Sequence, residues 1–237
     1  MAILSILRDI RALFTKNDAV NDLWYILAAS AITSLNHPED IEPVYALVEQ
    51  SIDESVKLSQ SEKEEAKIHA VLRLREGILK SFIASGFPKT INGLKHLNIA
   101  TPEPINAKLP KTPFRKEDSW EAILRGRERG KALFAKIYDK HTERVLTDMH
   151  TFYPDLGQVA IHQLYGPVIS NTSLLSGKES SLVLVTGLKA QDIAAQLRGH
   201  TYGALHQGAT REDLSNINAM VNMLCKHYGV SLPKAKL

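Results

Sequence analysis

The sequence predicts an all-α protein, and three observations carry that prediction. Apolar residues recur every three or four positions through most of the chain, the period of a helix rather than a strand. Three segments open on capping boxes, in which a hydroxyl residue precedes an acidic one by three: Ser59 with Glu62, Ser176 with Glu179, and Thr210 with Asp213. A single run, Leu182 to Leu188, is apolar enough to read as a buried strand. The box before it argues for helix, and no second run offers itself as a partner strand.

Taken in order, the segment Met1 to Phe14 is amphipathic, with Ile3, Leu7, Ile10 and Phe14 on one helical face and Arg8, Asp9 and Arg11 elsewhere. Its charges spoil it as a signal peptide, and Asp9 and Asp18 weigh against a mitochondrial presequence, so it reads as a packing helix. The stripe Leu23, Ile26, Leu27, Ser30 and Ala31 ends near Asn36-His37-Pro38, and Ile41 to Leu58 repeats Val44, Leu47, Val48 and Ile52. A long helix follows the Ser59 box through Ala66, Val71, Leu74 and Leu79 to Gly86-Phe-Pro88, and a short one covers Thr90 to Leu97. From Asn98 to Ser119 periodicity vanishes among Pro102, Pro104, Pro110 and Pro113, which predicts a linker or a surface-hugging connection.

Helix resumes at Trp120 and passes Phe134 and Tyr138 towards Met149, with Gly126 and Gly130 spaced for close packing or a turn. Asp155 to Ile169 is a further helix, softened by Gly166-Pro167. Gly208 closes the helix that holds His200, and a last one carries Leu214, Ile217, Val221, Leu224 and Tyr228 on one side. The expected organisation is an N-terminal helical half over 1–97, a connection over 98–119, a second half over 120–230 and a tail over 231–237. A short echo, Ala100-Thr-Pro-Glu103 against Ala209-Thr-Arg-Glu212, hints that the halves are related.

Composition removes several function classes. The 29 basic and 26 acidic residues are interleaved, so the net charge of +3 gives no electrostatic case for nucleic acid. Cys225 is the only cysteine, which excludes an internal disulfide, a CxxC pair and a thiolate zinc cage. No stretch approaches a membrane span. The nine histidines have no metal-ligand spacing, and neither a phosphate loop nor a nucleophile elbow occurs, so no metal or cofactor is expected.

Two features remain as functional candidates. His200 shares a helix face with Ile193, Gln196, Leu197 and Ala204, so Gln196 is placed to bond the imidazole and set its tautomer. A histidine there is either a satisfied core residue or a proton carrier. His206 lies on another face near the helix end, and Arg198 and Tyr202 are expected to be exposed or at a subunit contact, Arg198 being suited to a carboxylate where a pocket opens beside it. At the C-terminus, Ala235-Lys236-Leu237 resembles the type 1 peroxisomal targeting signal. Tyr228-Gly229 and Pro233 end the last helix, which predicts a projecting tail for the import receptor and a place in the peroxisomal matrix, or in the cytoplasm if the match is chance.

The residues Gln196-Leu-x-x-His200-x-x-x-Ala204-x-x-x-Gly208-x-Thr210, entering a capped helix, resemble the carboxymuconolactone decarboxylase family, which shares its fold with the alkyl hydroperoxidase AhpD. Leu74 to Leu79, Gly86 to Leu94, Arg129-Gly-Lys-Ala and Tyr165 to Ser173 are similar to two-repeat fungal members. The resemblance implies an AhpD-like helical fold assembled into homo-oligomers. The family's paired cysteines fall on Ile193 and Gln196, so a dithiol peroxidase is not implied. The proton-relay glutamate falls on Ser181, and nearby Glu179 reads as a cap. What remains is acid–base chemistry on a small organic acid, lactone or carbonyl compound, with His200, Gln196 and Ser181 as catalytic candidates and Asn171, Tyr165 and Arg198 as substrate-binding ones. The alternative is a non-catalytic oligomeric scaffold or binding module of the same fold.

Overall fold

The computed structural model describes residues 2–14 and 22–237; Met1 and Asp18, used above in reading the N-terminal segment, lie outside them. Regular structure among the described residues is all helical. Helix α1 (Ile3–Phe14) buries Ile6, Leu7 and Ile10 as a packing helix. Helix α2 (Trp24–Leu35) is buried on every face from Trp24 to Ser34, so it is a central core helix rather than a one-sided stripe. Its polar residues survive there by local bonds: the Ser30 and Thr33 hydroxyls each donate to the carbonyl four residues back, at 2.8 Å. Asn36, left-handed at φ 66, caps its end.

Helix α3 (Ile41–Asp53) stops short of the expected Leu58, and the Lys63 ammonium takes the Asp53 carbonyl at 2.7 Å. The Ser59 box starts α4 (Gln60–Ser85) as the sequence predicts. Helix α5 (Phe87–Ala100) begins earlier and ends later than expected. Gly86 at φ 87 turns the chain straight into it, with Pro88 in the first turn where no N–H is needed. The proline-rich stretch hugs the surface: it holds the short helix α6 (Glu103–Asn106) and buries Ile105 and Leu109.

Helix α7 (Trp120–Tyr138) does not run on to Met149. Asp139, at φ 48, breaks it, and a 3-10 turn leads into α8 (Thr142–Phe152). The segment expected to be soft is α9 (Pro154–Val159) followed by a π-helix, Ala160–Ile169, with Pro167 inside it. Gly126 and Gly130 let this π-helix lie backbone to backbone on α7. A Cβ at Gly130 would stand 2.5 Å from the Gly166 nitrogen.

The Ser176 box opens α10 (Gly177–Ala190), buried from Ser180 to Ala190, so the apolar run is helix. Helices α11 (Ala194–His206) and α12 (Arg211–His227) complete the chain, the latter behind the Thr210 box. One core unites Trp24 to Ile78 of the first half with Leu182 to Leu224 of the second, because α10 packs on α2 and α4 and α12 packs on α1 and α2. A smaller core, with Phe134, Ile137, Ile161, Tyr165 and Leu184, joins α7, the π-helix and α10.

Candidate functional site

Helix α11 crosses α7 closely because glycines face the contact. A Cβ at Gly203 would lie 2.5 Å from Ile137 Cγ2, and one at Gly199 would lie 3.3 Å from Tyr138 Cε1. That approach sets His200 edge-on to Tyr138, with centroids 6.2 Å apart and planes at 72°. Tyr138 lies against Phe134, Phe134 meets Tyr165 edge to face, and the hydroxyls of Tyr138 and Tyr165 interact. His200 is 8% exposed, and burial alone lowers its pKa to about 4. No hydrogen-bonding partner reaches its ring among the described residues. The imidazole is therefore neutral at physiological pH, and its basicity is far from the value that suits a proton carrier there.

Of the other expected site residues, Tyr165 is buried and is linked to it by ring contacts through Tyr138 and Phe134. Gln196 is exposed and does not bond the imidazole, because the buried stripe of α11 is narrow: Leu197, His200, Gly203 and Ala204. Arg198, Tyr202 and His206 are exposed, as expected. Ser181 is buried within α10. The Asn171 side chain accepts from the Ser173 N–H at 3.1 Å and hydroxyl at 2.6 Å.

A second, charged seam lies along α4. Arg73, Glu76 and Lys80 follow helical spacing and are 3%, 4% and 0% exposed. Arg115, from the connection, grips Glu76 with two nitrogens, at 2.5 and 3.1 Å. The Lys80 ammonium lies 3.4 Å from Glu76 and donates to the Ile169 carbonyl at 3.2 Å, the Asn171 carbonyl at 2.6 Å and the Ser180 hydroxyl at 2.6 Å. Burial pushes the Lys80 pKa down to about 8, against the opposing pull of Glu76. Arg73 pairs with Glu179, whose other oxygen accepts the Ser176 N–H at 2.8 Å and so completes the capping box.

This seam also finishes the π-helix. Its last four carbonyls are all met by side chains: Gly166 by the Ser170 hydroxyl, Pro167 and Val168 by Arg115, and Ile169 by Lys80. Beside the seam, an open cleft of about 480 Å³ lies between α4, α5 and residues 110–115. It is apolar on most sides, with Leu72, Leu79, Leu94 and Phe114, and carries Arg75, Glu76 and Arg115. Neither it nor the neighbouring 210 Å³ cavity at Arg115, Arg125 and Arg129 reaches His200.

The tail does not project. The Lys189 ammonium donates to the Ala235 carbonyl at 2.5 Å, and the Asp192 carboxylate accepts the Ala235 N–H at 2.8 Å. Ala235 is 8% exposed, and Leu237 packs partly buried against the main core. The reason is local: Lys189 is 2% exposed at the end of α10 and needs acceptors, while Asp192, left-handed at φ 53, turns its carboxylate to the tail.

Sequence reasoning missed the seam because charges inside a long helix normally face water. A signal was present: Ala70, Gly77, Ser81 and Ser85 are small residues at helical spacing, the mark of a close helix neighbour, and Arg73, Glu76 and Lys80 lie among them.

No family model matches the chain, and no solved structure matches it. Two curated proteins do. Peroxisomal protein 2 of Schizosaccharomyces pombe is 30% identical over 206 residues, covering 87% of each chain. Peroxisomal protein 2 of Saccharomyces cerevisiae is 27% identical over 256 aligned residues, covering 90% of each. The chain therefore belongs to the family of Peroxisomal protein 2, and its place in the cell is the peroxisome.

Proposed function

We propose that the chain is a peroxisomal-matrix protein on the AhpD-like helical plan, imported through Ala235-Lys236-Leu237 and acting as a homo-oligomeric binding module rather than a peroxidase or histidine-based lyase. His200 carries the choice of binding over catalysis. It is neutral, has no partner among the described residues to relay a proton, and stands edge-on to the Tyr138 ring. Import requires the tail to leave Lys189 and Asp192, since a receptor for a C-terminal tripeptide needs that tripeptide free. Self-association is supported by apolar side chains left open around α8 and α9: Phe152 and Tyr153 are 76% and 60% exposed, with Leu156 and Val159 beside them.

The competing reading makes His200 a general acid or base on a small organic acid, lactone or carbonyl compound, aided by the Tyr138 and Tyr165 hydroxyls. It requires His200 to titrate near neutrality. NMR titration of the histidine rings, assigned with His200→Gln, decides between them. A His200 midpoint near 4 supports the binding module; a midpoint between 6 and 8 overturns it.

A further inference from the structure

Arg75 differs from the cations that lie nearest it in this seam. Arg73 has Glu179, and Lys80 and Arg115 have Glu76. Arg75 is half-buried, yet no carboxylate meets it among the described residues. Its one side-chain partner is the Asn106 amide oxygen, at 3.3 Å. A desolvated guanidinium with most of its five donors unused is built for a planar, two-oxygen acceptor. Burial lowers the Arg75 pKa, but arginine stays charged in proteins.

Its surroundings select the acceptor. Arg75 opens on the 480 Å³ cleft, a volume typical of small-molecule sites, whose other walls are Leu72, Leu79, Leu94 and Phe114. Phe114 is 46% exposed, so apolar surface stands uncovered there. Glu76 also faces the cleft, but Arg115 and Lys80 occupy its oxygens. The charged lining of the cleft is thus Arg75 and Arg115 against Glu76, two cations against one carboxylate. The chemistry that fits is one anionic head with an apolar body.

We propose that this cleft binds an amphipathic monocarboxylate of medium chain length, with its carboxylate on Arg75 and its chain against Leu72, Leu79, Leu94 and Phe114. The inference deepens the binding-module reading and rests on it. The ligand enters between α5 and the 110–115 segment, with Asn98 and Thr112 at the polar rim.

Calorimetry on the full chain tests this with octanoate and the uncharged octanol as probes. Octanoate binds more tightly than octanol. Arg75→Gln weakens octanoate by roughly ten- to hundredfold and leaves octanol unchanged. Phe114→Ala, an exposed position whose loss does not threaten folding, weakens both probes alike. The proposal is overturned if octanoate does not bind, or binds no better than octanol. It is equally overturned if Phe114→Ala leaves both affinities unchanged, or if Phe114→Ala instead lowers the oligomer mass, which would make the cleft a seat for a second copy. Failure here with a His200 midpoint near 4 removes this ligand and leaves the binding module; a midpoint near neutrality removes the module itself.

Discussion

Two buried seams of this molecule are built from opposite chemistry. Where α11 crosses α7, glycines bring the backbones close and His200 packs against Tyr138, 8% exposed and with no hydrogen-bonding partner among the described residues. Where α4 meets the start of α10 and the end of the π-helix, Arg73, Glu76 and Lys80 are buried too and Arg115 partly so, but their charges are answered by carboxylates, carbonyls or a hydroxyl. Burial is nearly equal in the two places, and its effects differ. Without a partner it removes a charge, taking His200 to its neutral form. With partners it keeps charges and makes each depend on the others. The residue that stands out in the sequence is thus the one that burial leaves uncharged.

Four experiments press on this contrast. The largest effect is expected at Glu76, because Glu76→Ala strands the buried Lys80 and the partly buried Arg115, and lowers unfolding stability by about 3–5 kcal/mol in denaturant titrations. A loss below about 1 kcal/mol would mean that water solvates the seam and the contrast fails.

Next comes the acid response of His200. Its folded pKa of about 4 lies below the ordinary 6.5, so between those values the unfolded chain holds a proton that the folded chain lacks. Stability is then lost as pH falls from about 6.5 to about 4, by up to about 3 kcal/mol from this group. His200→Phe removes that component, so the stability gap between variant and parent shifts in favour of the variant on acidification. An unchanged gap between pH 7 and pH 4.5 would show that the imidazole is not dry.

Gly203→Ala tests the close crossing beside His200. Its new methyl meets Ile137 at 2.5 Å and costs about 1–3 kcal/mol. Gly157→Ala, whose nearest neighbour is 4.0 Å away, is the matched control and is neutral or slightly stabilising in thermal melts. The smallest effect on stability is expected at Asp192→Gly. Glycine accepts the left-handed φ of 53 and removes the tail's acceptor, so stability changes by about 0.5 kcal/mol or less. Hydrogen exchange at the Ala235 amide accelerates, and a receptor for C-terminal tripeptides binds the variant more tightly than the parent.

What the sequence made legible was local. Ser59, Ser176 and Thr210 announce their helices because a capping box is complete within four residues. The burial of His200 followed from its face of α11. Its neighbour Tyr138 did not, since nothing local couples the two helices. The same limit hid Glu76 with Arg115 and Arg73 with Glu179, each joined across distant segments. Asp139 defeated the helix pattern by taking a positive φ within a stretch whose periodicity runs on. The tail was misjudged because its docking depends on Lys189, which counts as one more surface lysine until α10 is known to be buried on every side.

The π-helix also sets a rule of chain length. Each of its backbone bonds spans one residue more than in an α-helix, as the bond from the Ser170 N–H to the Tyr165 carbonyl records. The looser winding rotates everything after the segment relative to a regular helix. Tyr165 therefore points to the aromatic cluster while the carbonyls of 167–169 come round to Arg115 and Lys80. Shortening this segment by one residue would leave both groups present and aim one of them at the wrong neighbour. A relative that keeps a lysine in place of Lys80 is expected to keep the length of this segment as well, so that an alignment gap between α9 and the Ser176 box would report on a side chain in α4.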